Sequence, residues 1–186
     1  PLLLLWSIFL LDLLLGDPVY RFHPIRLIGS LLIYLERWLF ARGWNGYTGG
    51  ILLGLLLLGI VLGCYFLLQK LFGSLHPVLS WSLDLFLGYS LLALRDLEIH
   101  GLRVWRATAE GNLMKAREEV SQLVGRDVER LDLAGCNRAT LESLSENLSD
   151  GVVSPLIWLT LVGIPGMLAF KVISTMDSMV GYRNSR

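Results

Sequence analysis

The densest run of side chains able to do chemistry is Glu142-Ser143-Leu144-Ser145-Glu146-Asn147-Leu148-Ser149-Asp150-Gly151. Glu142 and Glu146 stand one helical turn apart, so both carboxylates leave one face and repel unless a cation lies between them. With Asn147 and Asp150 beside them the donors are all oxygen, which suits a hard ion such as Mg²⁺ better than zinc. Acidic groups crowded at the end of a helix, where its dipole disfavours them, need such a reason. A second polar group, Asp177-Ser178-Met179-Val180-Gly181-Tyr182-Arg183-Asn184, closes the chain with an acid, a ring that can stack and a guanidinium. A third, Gly16-Asp17-Pro18 followed by His23-Pro24-Ile25-Arg26, offers donors and cations suited to an anionic group. In a fourth, Asp96, His100 and Arg103 fall on one helical face, where a carboxylate can orient an imidazole as a base.

The elements that must hold these groups are mostly apolar. The 186-residue chain is 54% hydrophobic and 17% charged, with mean hydropathy +0.58. Sixteen basic residues balance sixteen acidic ones, which excludes the basic surface that nucleic-acid binding needs. Four apolar stretches, 2–15, 51–68, 77–94 and 152–173, predict a multi-pass membrane protein. The second is the cleanest span, at about 27 Å of helix against a hydrocarbon core of about 30 Å. The first has no signal-peptide cleavage pattern after it and reads as a retained anchor. Asp12 and Asp84 fall inside apolar stretches, where an ionisable group must face protein, water or the interface. Arg21, Arg26, Arg37 and Arg42 after the first stretch, and eight basic residues between the third and fourth, place those two regions on the cytoplasmic side.

Residues 95–150 alternate apolar and charged positions and are expected to be a helical cytoplasmic region between spans three and four. Leu113, Ala116, Val120 and Val124 recur at helical spacing after Asn112 as cap, and a second helix is expected to start near Val128 after Asp127. Residues 27–39 predict an amphipathic helix, and His76 beside Pro77 a turn. The fourth stretch is interrupted by Gly163-Ile164-Pro165-Gly166. Two short helices forming a re-entrant hairpin are expected there, with a kinked crossing as the alternative. The expected class is therefore all-α, a helical integral membrane protein. Cys64 and Cys136 have neither disulfide nor zinc spacing, and no P-loop, dinucleotide-binding or nucleophile-elbow motif occurs.

Five ordered motifs together resemble the cobalamin-biosynthesis family of adenosylcobinamide-phosphate synthases, called CbiB or CobD. They are residues 11–18, the block His23-Pro24-Ile25-Arg26-Leu27-Ile28-Gly29, Val124-Gly125-Arg126-Asp127, residues 142–155 and residues 177–184. The resemblance implies a single CbiB/CobD-like domain over 1–186 in a bacterial or archaeal inner membrane. It implies a carbon–nitrogen ligase that joins aminopropanol, or its phosphate, to a propionate of adenosylcobyric acid using ATP and Mg²⁺. Family members continue past the last motif into further membrane segments, so the chain is expected to be truncated at its C-terminus. Homo-oligomerisation or a second chain would then supply the missing spans.

Amide formation from a carboxylate needs an activated acyl group, most economically an acyl phosphate, and attack by a neutral amine. On that chemistry Glu142, Glu146 and Asp150 are expected to hold the metal. Arg26, Arg126 and Arg183 are expected to bind phosphate or carboxylate. Asp177 or His100 would accept the proton and Tyr182 would stack on a ring, with Asp17, His23, Asn147 and Asn184 completing the substrate contacts. An AmpE-like membrane sensor without ligase activity, and a transporter subunit using Asp12 and Asp84 as pathway residues, are the alternatives.

Overall fold

The computed structural model describes residues 2–16, 20–125 and 127–181, and among them it contains helices and no strand. Asp17, Arg126, Tyr182, Arg183 and Asn184 lie outside the described residues.

The first apolar stretch forms α1, Leu2–Leu15, and ends at Gly16, whose φ of 67° is the left-handed conformation that closes a helix cheaply only with glycine. At about 21 Å, α1 is shorter than a hydrocarbon core. The amphipathic segment becomes α2, Pro24–Phe40, which buries Ile28, Leu32, Leu35 and Leu39 at helical spacing. Helix α3, Gly46–Leu75, extends the cleanest span at both ends. His76 then turns the chain: its Nδ1 accepts from the Val78 amide at 3.2 Å and so caps α4, Pro77–Ser90.

The third apolar stretch does not run unbroken to residue 94. The backbone leaves the helix at Leu91, and α5 begins at Leu94 and continues to Ala109. Leu91 and Leu92 are fully buried, so the break inserts two leucines into the core between α1, α3 and α9 instead of exposing them. By length and composition two stretches suffice to cross a membrane: Gly46–Leu75, with a hydropathy of 2.8, and Pro77–Ala109, with 1.4. Much of α3 is outward-facing leucine and isoleucine, as a lipid-facing helix would be.

The polar region packs around its own small core. Helix α6, Leu113–Ser121, is capped by Asn112, whose Oδ1 accepts from the Lys115 amide at 3.1 Å, as the spacing predicts. Helix α7, Leu133–Leu148, starts five residues later than expected. Its cap is Asp132, accepting from Gly135 N at 2.6 Å, while Asp127 only closes a turn onto Glu129 N at 2.9 Å. Both aspartates are competent caps; Val128 and Leu131 after Asp127 pack against the core without entering a helix, whereas Cys136 and Ala139 after Asp132 are buried within it. Val104, Ala107, Ala116, Val120, Cys136 and Ala139 meet there.

Helix α7 passes without interruption into a π-turn, Ser149–Val153, and then α8, Ser154–Val162. At Gly163, with φ of 79°, the chain reverses into α9, Ile164–Val180, which packs back along α8. The boundary expected between a polar region and a membrane segment therefore falls inside one helical rod, and the fourth apolar stretch is divided into two helices at Gly163. Helices α1 and α4 are also in close contact: a Cβ on Gly88 would collide with the Ile8 side chain.

Candidate active site

The carboxylate of Asp12 on α1 is fully buried. Leu94 and Arg95 are first-turn residues of α5, whose amides lack intrahelical acceptors, and Ala93 before them has no side chain to cap with. Asp12 Oδ2 supplies the cap from α1, accepting from Leu94 N at 2.9 Å and Arg95 N at 3.3 Å. The same junction holds the Gly16 turn: Tyr89 donates to Gly16 O at 2.5 Å, and Gly16 lies against Arg95 and Asp96. It fixes α5, which carries Asp96, His100 and Arg103. His100 Nδ1 is buried there with no hydrogen-bond partner among the described residues.

Glu142, Ser143, Glu146 and Asn147 of α7 line one pocket of about 470 Å³ with Leu123, Val124 and Gly125. Ser143 locks its floor by donating to Leu123 O at 2.8 Å, and Asn147 Nδ2 donates to Ser143 O at 2.9 Å and Oγ at 3.1 Å. Asn147 stands in the same pocket as the two exposed carboxylates. Asp150 does not line the pocket, and no group of three His, Cys, Asp or Glu side chains among the described residues is close enough to hold one metal ion. Two carboxylates are nonetheless the usual protein share of an Mg²⁺ site whose other ligands are phosphate and water.

Beyond Asp150 the backbone makes its own polar site. Ser154 N bonds to Ser149 O, five residues back, and residue 155 is a proline without an N–H. The carbonyl of Asp150 is thereby deprived of a donor from its own helix. Lys171 of α9 supplies it: Nζ lies 3.1 Å from Asp150 O. Lys171 is only 7% exposed and was hidden from sequence reasoning inside an apolar stretch. A lone lysine amid residues 152–173 was the signal that could have found it.

Lys171 also borders a groove of about 610 Å³ between α2 and α9, opposite Arg26. Asp177 faces elsewhere, into an apolar groove of about 450 Å³ between α3 and α9 lined by Gly50, Gly54 and Met176. His23 is buried at the start of α2, its ring edge-on to Tyr20 at 5.1 Å. The structure thus gathers Glu142, Glu146 and Asn147 in one pocket, sets Arg26 with Lys171 in a second and puts Asp177 in a third. His100 lines none of the three.

The two acids within apolar stretches both have structural partners. Asp84 on α4 accepts from Tyr65 at 2.9 Å and from Gln69, while Ser80 donates to Gln69, pinning α4 to α3. Asp12 is the cap of α5.

Comparison with known proteins identifies the family. The family model described as CobD/Cbib protein matches residues 5–186. Proteins named cobalamin biosynthesis protein CobD are 40% identical in Geobacter metallireducens, covering 95% of this chain and 56% of the relative, and 38% identical in Yersinia enterocolitica, covering 96% and 57%. Cobalamin biosynthesis protein CbiB of Salmonella choleraesuis is 34% identical over 100% of this chain and 59% of the relative. The chain thus spans rather more than half the length of the curated relatives it matches. No solved structure matches. Taken with the match across nearly every described element, these relatives establish that the chain belongs to the CobD/CbiB family.

Proposed function

We propose that this chain works in cobalamin biosynthesis, as the part of an adenosylcobinamide-phosphate synthase that binds and joins its substrates. The reaction is ATP-dependent amide formation between aminopropanol, or its phosphate, and a propionate of adenosylcobyric acid. The observation that carries this reading is the family match over residues 5–186, with relatives 34–40% identical whose names state cobalamin biosynthesis. The acidic pocket is its chemical support.

Glu142 and Glu146 would hold Mg²⁺ with phosphate and water as its remaining ligands, and the ion would supply charge neutralisation at the nucleotide's phosphates; Asp150, assigned to it on sequence, lies outside their pocket. Arg26, Arg126 and Arg183 bind the anionic groups of the substrates. Asp17, His23, Asn147 and Asn184 position them, and Tyr182 stacks on a ring. The propionate oxygen takes a phosphoryl group from ATP, and the amine nitrogen then bonds to the acyl carbon as phosphate leaves. Asp177 or His100 takes the proton released from nitrogen. The chain is a multi-pass protein of a bacterial or archaeal cell membrane, with α5–α7 on the cytoplasmic face and the α8–α9 hairpin re-entrant. It acts as a homo-oligomer or with a second chain.

Membranes carrying the chain, incubated with cobyric acid, aminopropanol phosphate and ATP, are expected to yield cobinamide phosphate by mass spectrometry. Glu146→Gln is expected to abolish the product while the protein remains inserted. Near-normal synthesis by that variant would overturn the metal assignment, and corrin binding without product would make the chain a binding protein.

A further inference from the structure

We propose that α2, α3 and α9 together hold one phospholipid with an ammonium-bearing headgroup, phosphatidylethanolamine, its amine at Glu36 and an acyl chain between α3 and α9. The proposal rests on α3 crossing the membrane and not on the ligase reading. Two cavities meet there. The upper one, about 220 Å³, is lined by Glu36, Phe40, Trp44 and Gly46; the lower is the apolar groove of about 450 Å³ that runs past Gly54 and Leu58, and Gly50 and Val180 line both. Helix α3 has 30 residues and is therefore about 45 Å long. A bilayer with its headgroup regions is about 40–45 Å thick. The first turn of α3 thus lies at headgroup level, where the exposed rings of Trp44 and Tyr47 belong, and Leu58 lies about two turns deeper than Gly50.

The upper cavity suits a cation. Glu36 is partly buried and makes no hydrogen bond or ion pair among the described residues. A partly desolvated carboxylate is satisfied by an ammonium group, which brings opposite charge and three donors. Phe40 and Trp44 line the same space, and aromatic rings attract such a group through their quadrupoles. The turn that places Trp44 requires Gly49, where a Cβ would collide with the Trp44 carbonyl. Among the described residues no lysine or arginine lines either cavity, and Asp177 adds a second carboxylate to the groove, so an anionic headgroup is disfavoured. Arg42, in the same turn, is instead stacked over Trp38 at 3.7 Å and donates to its carbonyl at 3.3 Å. The lipid phosphate has the first-turn amides of α3, where Asn45 makes no side-chain cap bond. A free amine would use the upper cavity alone; the apolar groove that continues from it calls for a hydrocarbon chain on the same molecule, which makes the occupant a lipid.

The test is equilibrium binding of phosphatidylethanolamine with a pyrene-labelled acyl chain to the full chain in neutral detergent, without nucleotide or corrinoid, so the ligase reading can fail independently. Saturable binding is expected, displaced by unlabelled phosphatidylethanolamine, only weakly by phosphatidylcholine, whose headgroup has no N–H, and not by phosphatidylglycerol or free ethanolamine. Glu36→Gln is expected to weaken it about tenfold or more, the scale of one charge-assisted hydrogen bond. Gly50→Leu, which fills open space where the two cavities meet, is expected to weaken it at least as much with an unchanged unfolding midpoint. Glu118→Gln, which removes a carboxylate from α6, is expected to leave binding unchanged. Absence of saturable binding, displacement by free ethanolamine, equal displacement by phosphatidylglycerol or phosphatidylcholine, or binding that Glu36→Gln leaves unaltered would overturn the proposal. So would a chain that dimerises in detergent and becomes monomeric with Gly50→Leu, which would put a second copy in the groove.

Discussion

Lys171 Nζ sits 3.1 Å from the carbonyl oxygen of Asp150, joining α9 to the π-turn across a chain reversal of twenty-one residues. The bond satisfies a carbonyl whose helical donor is missing because residue 155 is proline, and it fixes the spacing between the two legs of the hairpin.

Replacing Lys171 with methionine keeps the apolar stem and removes the donor. The orphaned carbonyl is expected to cost about 1–3 kcal/mol. Thermal unfolding in detergent reads the loss, and an unchanged midpoint would show that the carbonyl finds water instead.

The hairpin also fixes topology. Leu141 on α7 and Ser178 on α9 are both exposed, and if the reversal at Gly163 is re-entrant they share one side of the membrane. Cysteines at the two positions are expected to react with an impermeant maleimide from the same face. Labelling from opposite faces would make α8–α9 a crossing.

Asp12 caps α5 from another helix. Asp12→Asn retains an acceptor and is expected to be mild, whereas Asp12→Leu should lose about 1–2 kcal/mol, the usual worth of a cap. Unfolding curves of the two variants distinguish a cap from a buried charge needed for transport, which Asn would also disable.

Asp84→Asn is expected to leave any amide synthesis intact, since Tyr65 and Gln69 hold Asp84 between α3 and α4. Tyr65→Phe should cost about 1 kcal/mol for the lost hydrogen bond. Loss of synthesis in Asp84→Asn with an unaltered unfolding midpoint would assign the aspartate a direct role.

Much of this architecture was legible because one physical signal sufficed. The first apolar stretch is α1 to the residue, Asn112 caps the helix its position announced, and the turn read at His76 is there, with the cap on α4 as an addition the sequence reading did not make. Hydropathy failed where backbone and burial disagree. Leu91 and Leu92 read as membrane helix but form a buried break, and Asp127 resembles a cap as closely as Asp132 does. The site was legible in part. The one-turn spacing of Glu142 and Glu146 carries over directly into a shared pocket, because spacing within a helix survives folding. The separation of Asp177 from that pocket depends on how α9 is rotated against α3, which no local pattern encodes, and Lys171 matters only because of a π-turn invisible in composition.

Burial pushes the Cys136 thiol above its ordinary range, with Asp132 adding to the rise and Arg117 opposing it. A thiol held protonated in the folded chain stabilises it below the ordinary thiol pKa, and that contribution is lost as pH rises through the folded value. Cys136 is accordingly expected to resist maleimide at neutral pH until the chain unfolds, and stability should fall in alkali. Rapid neutral labelling of Cys136 in the folded protein would contradict its place in the α5–α7 core.

The π-turn at residues 149–153 takes up one residue more than ordinary helical winding would, so α7 and α8 keep their phase across it. Deleting one residue there would restore ordinary winding and leave the two carboxylates of α7 on the same side of the bundle. An added residue with unchanged winding would instead turn α7 by about 100° against α8 and carry both carboxylates round with it. A single-codon gain in this stretch should therefore be harsher than a single-codon loss.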